Sequence, residues 1–160
     1  IEGLARAQAR GIPTFTVEPS DFDDRLQWNE ALRDAVRSHD PDWVLSAGFM
    51  RILGKEFIDA FPNRVINTHP ALLPAFPGAH AVRDALAYGA KVTGATMHLI
   101  DEGTDTGPVL SQRAVEVKDG DTEDLLHERI KVAEREMVVE VMQQLAEHGC
   151  TVEGRKVSIP

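Results

Sequence analysis

Apolar runs of strand length alternate with amphipathic helical stretches along the chain, and this alternation predicts an α/β fold with helices on the faces of a sheet. Long crossovers join the earlier strands while short turn-rich segments join the later ones, so the central sheet is expected to be mixed rather than purely parallel. No internal repeat, low-complexity tract or linker interrupts the 160 residues, which sets the expectation of a single domain over residues 1–160.

The elements follow in order. Ile1 to Arg10 reads as part of a helix that Gly11 stops, and an α/β domain rarely opens on half a helix. Ile12 to Val17 reads as a short strand with Pro13 near its start. Pro19, Ser20 and Asp21 then punctuate the chain, and Leu26, Ala31, Leu32, Ala35 and Val36 mark a helix within Phe22 to His39. Pro41 ends it by pushing Asp40 out of the helical region. Trp43 to Ala47 is the next strand, and Gly48 at its carboxyl end allows a ligand to approach the backbone. Met50 to Leu53 either line an apolar pocket or cover the core.

Lys55 to Phe61 is a short helix and Arg64 to Asn67 a strand. Ala79 to Tyr88 is a helix ended by Gly89. Val92 to Ile100 is a strand that carries Thr96 and His98 on one face and Ala95, Met97 and Leu99 on the other. Val109 to Val117 follows as a strand with Pro108 at its start, where a missing donor is tolerated. Asp121 or Thr122 caps the longest helix, whose stripe of Leu126, Ile130, Ala133, Met137, Val141 and Leu145 runs toward His148. Thr151 to Ile159, broken by Gly154, makes a small hairpin or an added edge strand.

Charge narrows the function. The balance of 17 basic against 26 acidic side chains, a net charge of −9, argues against a broad nucleic-acid-binding surface and leaves room for a small anionic substrate held by local donors. Cys150 is the single cysteine, so there is no internal disulfide, and a reducing compartment is the simpler expectation. Neither a signal-peptide pattern nor an apolar run of membrane length is present, so the expectation is a cytoplasmic protein with no membrane partner.

The chemistry centres on VINTHPALLPAFPG, residues 65–78. Asn67 and His69 follow the apolar Val65 and Ile66, and Pro70, Pro74 and Pro77 forbid a helix beyond them. If strand geometry runs through Thr68, Asn67 and His69 share one face. They are either a reactive pair or ordinary strand-end residues. A second turn-rich loop, residues 101–108, carries Asp105, which could cap a turn, bind a cation or relay a proton. The histidines at 69, 80 and 98 are too widely spaced for a local zinc signature. No nucleophile elbow or phosphate-binding P-loop appears, and nothing basic neighbours Cys150. An Asn, a His and an Asp at the ends of separate strands suit noncovalent acyl or formyl transfer. That reaction needs a proton acceptor for an attacking amine and a donor for the developing oxyanion.

The segments AGFMRIL at 47–53, INTHPALLPAFPG at 66–78, GATMHLIDEGTDTGP at 94–108 and HERIKVAE at 127–134 together resemble the folate-dependent formyltransferases, in particular the phosphoribosylglycinamide formyltransferase family. The resemblance implies a Rossmann-like formyltransferase fold. It also implies transfer of the formyl group of 10-formyltetrahydrofolate to the amine of glycinamide ribonucleotide, with no metal and no covalent intermediate. The catalytic trio falls on Asn67, His69 and Asp105. Folate contacts fall on Arg25, Met50, Arg51, Ile52 and Leu53 and on the loop of Ile100, Asp101, Glu102, Gly103, Thr104 and Asp105. Ribonucleotide contacts fall on Asn67, Lys131 and Glu134. Lys131 departs from the glutamine of some members, and on the residues alone Lys131 and Glu134 are either a surface ion pair or polar ligands. Arg25, read alone, is a solvated charge. His98 is given a supporting role beside the site, whereas Thr96 reads as packing.

Family members open with a strand and a glycine-rich phosphate loop that have no counterpart here. The expectation is therefore an N-terminally incomplete domain whose N-terminal strand and phosphate loop are missing. The alternatives are a formyltetrahydrofolate deformylase and a noncatalytic folate-binding protein. The assembly is expected to be a monomer or a homodimer.

Overall fold

The computed structural model describes residues 2–49 and 51–160, so the expectations for Ile1 and Met50 lie outside the described residues. The chain divides into two compact units, Ile1–Pro41 with Leu53–Ala60, and Asp42–Ile52 with Phe61–Pro160.

The first unit holds helices α1 (Glu2–Gln8), α2 (Arg25–Arg37) and α3 (Lys55–Ala60). Asp24 caps α2 by accepting a hydrogen bond from the Gln27 backbone N–H at 2.9 Å, which starts the helix three residues later than the apolar pattern predicts. Trp28 on α2 is buried, and its indole N–H donates to the Val17 carbonyl at 2.9 Å. Asn29 accepts from the Gly54 N–H at 3.2 Å ahead of α3. The strand expected at residues 12–17 is not formed: these residues are irregular. Pro13 lacks a donor, and a strand exists only where a neighbour supplies its ladder.

The second unit is a six-stranded mixed sheet flanked by helices α4 (Ala81–Tyr88) and α5 (Glu123–His148). Its strands are β1 (Val44–Ser46), β2 (Val65–His69), β3 (Val92–Leu99), β4 (Val109–Glu116), β5 (Thr151–Glu153) and β6 (Lys156–Ser158), in the spatial order β1-β2-β3-β4-β6-β5. The β1/β2 and β4/β6 pairs are parallel, and β2/β3, β3/β4 and β5/β6 are antiparallel. This is the mixed α/β architecture expected from the alternation, and the last two strands both form a hairpin and extend the sheet.

Thr122 caps α5 through its hydroxyl, and Leu126, Ile130, Met137, Val141 and Leu145 of that helix are buried together with Ile66, Ala95, Met97 and Leu99 of the sheet. Odd-numbered positions of β3 thus face the α5 core, and Thr96 and His98 face the other way, where they too are buried. On a strand covered on both sides, a polar group that finds no partner is costly. Among the described residues no helix is long and apolar enough to cross a membrane.

Candidate active site

Strand β2 continues through Thr68 to His69, so Asn67 and His69 do share a face, and the antiparallel register sets Asn67 directly opposite His98 of β3. Beyond β3 the chain turns through residues 100–108 and returns as β4, carrying Asp105 back to the strand ends. Asp105 sits at φ +55°, in the left-handed region that Asp tolerates better than most residues. Gly107 makes the turn possible: a Cβ there would lie 1.6 Å from the Leu99 carbonyl oxygen.

Four side chains converge. His69 is 4% exposed and His98 3% exposed, and the Asp105 side chain keeps 12%. His69 donates from Nε2 to the Phe76 carbonyl at 2.7 Å, while its Nδ1 lies 3.3 Å from Oδ2 of Asp105. Both ring nitrogens thus face oxygen atoms. Oδ2 of Asp105 also accepts the Gly78 N–H at 2.8 Å. Its other oxygen, Oδ1, is turned toward Nε2 of His98 at 3.7 Å. Asp105 is therefore anchored through one oxygen, while the other faces the His98 ring.

His98 donates from Nδ1 to the Leu99 carbonyl at 2.9 Å, and its Nε2 lies 3.4 Å from the Asn67 amide nitrogen. Burial pushes the His98 ring toward its neutral form. The Leu99 hydrogen bond and the nearby Asp105 and Asp101 carboxylates oppose that shift, and His69 adds to it. Thr96 packs behind the cluster: its hydroxyl donates to Ala71 O at 2.7 Å and accepts from Leu73 N at 3.1 Å and from Gln112 Nε2 at 3.0 Å. These bonds tie the proline-rich loop to β3 and β4.

The remaining predicted site residues are spread more widely. Ile100 and Asp101 are half-buried in the loop, and Glu102, Gly103 and Thr104 are exposed. Asp101 folds that loop locally, its Oδ1 accepting from the Gly103 N–H at 3.0 Å and the Thr106 hydroxyl at 2.6 Å. Arg51 and Ile52 are exposed in the same unit. Arg25, the first residue of α2, and Leu53, which is buried, belong to the first unit. Lys131 pairs with Glu128 one helical turn away at 2.7 Å. Glu134 accepts a hydrogen bond from the Thr68 hydroxyl at 3.1 Å, on the face of β2 opposite Asn67.

Residue-by-residue reading misses three participants. The Phe76 carbonyl and the Gly78 N–H are backbone groups that no side-chain identity announces. The third is Arg155 in the turn between β5 and β6, which donates to the Thr106 carbonyl at 2.8 Å and so braces the loop that carries Asp105. Among the described residues no group of His, Cys, Asp and Glu is arranged to hold a metal ion.

Amide and ring N–H groups of this kind can polarise a carbonyl, and a carboxylate can take a proton. Comparison with known proteins bears on which reaction that serves. The formyl transferase family model matches residues 1–142. A phosphoribosylglycinamide formyltransferase of Mycobacterium tuberculosis is 57% identical over 153 residues, 96% of this chain and 71% of its own. Glycinamide ribonucleotide transformylase 1 of Symbiobacterium toebii superposes with a TM-score of 0.94 at 40% identity, over 98% of this chain and 74% of its own. A formyltetrahydrofolate deformylase from Pseudomonas syringae superposes with a TM-score of 0.88 at 26% identity, over 98% of this chain and 52% of its own.

Proposed function

The chain belongs to the phosphoribosylglycinamide formyltransferase family, and from that premise we propose how its strand-end cluster carries out the reaction. The enzyme transfers a formyl group from formyltetrahydrofolate to the primary amine of glycinamide ribonucleotide, a step of purine biosynthesis. The donor is 10-formyltetrahydrofolate, and the products are N-formylglycinamide ribonucleotide and tetrahydrofolate.

The amine nitrogen attacks the formyl carbon, the carbonyl electrons move onto oxygen, and the bond to the folate nitrogen breaks as the carbonyl re-forms. Asn67 donates an amide N–H to the developing oxyanion, and the charge on His69 stabilises it. The Nε2–H of His69 is held by the Phe76 carbonyl, so a formyl oxygen must compete with that carbonyl for it. Oδ1 of Asp105, the oxygen that the Gly78 N–H leaves free, accepts the amine proton, which passes on to the departing folate nitrogen. The observation that carries this reading is the convergence of Asn67, His69 and Asp105 around His98, whose Nε2 is approached by both the Asn67 amide nitrogen and Oδ1 of Asp105.

In this reading the loop from Ile100 to Asp105, with Arg51 and Ile52, meets the folate, and Lys131 and Glu134 meet the ribonucleotide. The protein works in the cytoplasm as a monomer or homodimer, without nucleic acid or membrane. The likeness to a deformylase supplies the second reading, in which water takes the place of the amine. Single-turnover assays with 10-formyltetrahydrofolate, with and without glycinamide ribonucleotide, separate the two. Formylated amine that requires the ribonucleotide is the expected result, and formate released without it would establish the deformylase instead.

A further inference from the structure

Besides the predicted trio the cluster holds one more buried titratable ring, His98. His98 is fixed at both nitrogens. The Leu99 carbonyl can only accept, so Nδ1 carries the hydrogen, and in the neutral ring Nε2 is then a lone pair. That lone pair lies 3.4 Å from the Asn67 amide nitrogen, the register partner one strand away. An amide has two nearly isosteric ends of opposite polarity, and sterics alone do not choose between them. The lone pair does choose: it accepts from the amide N–H₂ and would repel the amide oxygen.

We propose that His98 is a positioning residue that sets the polarity of the Asn67 amide, holding its nitrogen toward the reaction so that the second N–H is available to the formyl oxygen. The inference rests on the formyl-transfer reading for what Asn67 binds, and on geometry alone for what His98 does to Asn67. Protonation of His98 would reverse the arrangement. An Nε2–H facing the amide N–H₂ is donor against donor, and the amide would turn its oxygen toward the ring and present the wrong end to the substrate.

The charged groups facing the ring are Asp105 and Asp101, which favour the proton, and His69, which disfavours it. Burial outweighs the two carboxylates, and the ring stays neutral below the ordinary histidine value of 6.5. The Leu99 carbonyl keeps its place because the Gly107 backbone lies against it and the Leu99 N–H donates to Pro108 O at 2.8 Å.

Two experiments on the full protein test this. ¹⁵N NMR of the wild type at pH 7.5 should show His98 as the neutral tautomer protonated at Nδ1; an Nε2–H tautomer or an imidazolium would overturn the proposal. His98→Gln places an acceptor that does not titrate near the Nε2 position, whereas His98→Phe keeps the bulk and removes the acceptor. The Gln variant should retain most of kcat and lose part of its acid limb. A folded Phe variant should lose about 10²–10³-fold in kcat, the cost of one oxyanion donor, with KM for both substrates little changed. A folded Phe variant with wild-type kcat would overturn the proposal, and if that variant does not fold, the tautomer decides. Failure of the formyl-transfer reading would appear separately, as a wild type that makes no amine-dependent product while His98 still shows the Nδ1–H tautomer.

Discussion

The strand-end cluster and the polar patch on α5 lie in the same compact unit and are held in opposite ways. In the cluster, His69 and His98 are almost fully buried, and each nitrogen meets a specific oxygen or amide. On α5, Lys131 keeps 39% of its side-chain exposure and pairs with Glu128 at 65%, a contact between two long side chains near solvent. Bond-making needs atoms fixed to fractions of an ångström, whereas recognition of a polar substrate tolerates a side chain that arrives with it. In the proposed reading burial goes with the first task.

The sharpest test of this contrast is Asp105→Asn. The amide can still accept the Gly78 N–H but cannot take the amine proton, so kcat is expected to fall by about 10²–10⁴-fold, the usual worth of a general base, while KM moves little. Unchanged turnover at saturating substrates would remove Asp105 from the chemistry. On the other side of the comparison, Lys131→Ala should raise KM for the ribonucleotide a few-fold and leave kcat intact. A loss of kcat as deep as that of the Asp105 variant would mean that the patch is as rigidly coupled to the chemistry as the cluster.

The smallest expected effect concerns a buried group that lacks what His98 has. The Thr93 hydroxyl on β3 is buried and finds no hydrogen-bond partner among the described residues. Its face of the sheet is the α5 core, where a methyl group belongs. Thr93→Val should raise stability by about 1 kcal/mol, seen as a Tm increase of about 2–4 °C, because an unsatisfied hydroxyl no longer has to be desolvated. A decrease would show that the hydroxyl finds a partner in solution.

Much of the sheet is legible in the residues because burial writes a strong period: β3, β4 and α5 begin and end within a residue or two of where their apolar patterns do. The shared face of Asn67 and His69 follows from the same period. Residues 12–17 mislead because a β-branched and aromatic run looks like a strand until it is asked for a neighbour. Pairing also explains why His98 is harder to place than Asn67. Its face can be read from Val92–Leu99, but that this face meets Asn67 depends on β3 lying antiparallel beside β2, which no local pattern states. The Arg155 brace is further still from local reading, since it joins residues 49 apart in the chain.

Position 107 has a practical consequence for anyone varying this loop to change substrate range. The missing methyl at Gly107 leaves room for the Leu99 carbonyl, and that carbonyl decides which nitrogen of His98 carries its hydrogen. A sequence library should diversify the exposed positions 102–104 and leave 107 fixed. A scan of tolerated substitutions will score Gly107 beside the reacting groups, although its influence passes through a carbonyl and a ring before it reaches an amide. In this site intolerance to mutation maps the path of a proton's placement, and that path is longer than the list of groups that touch the reactants.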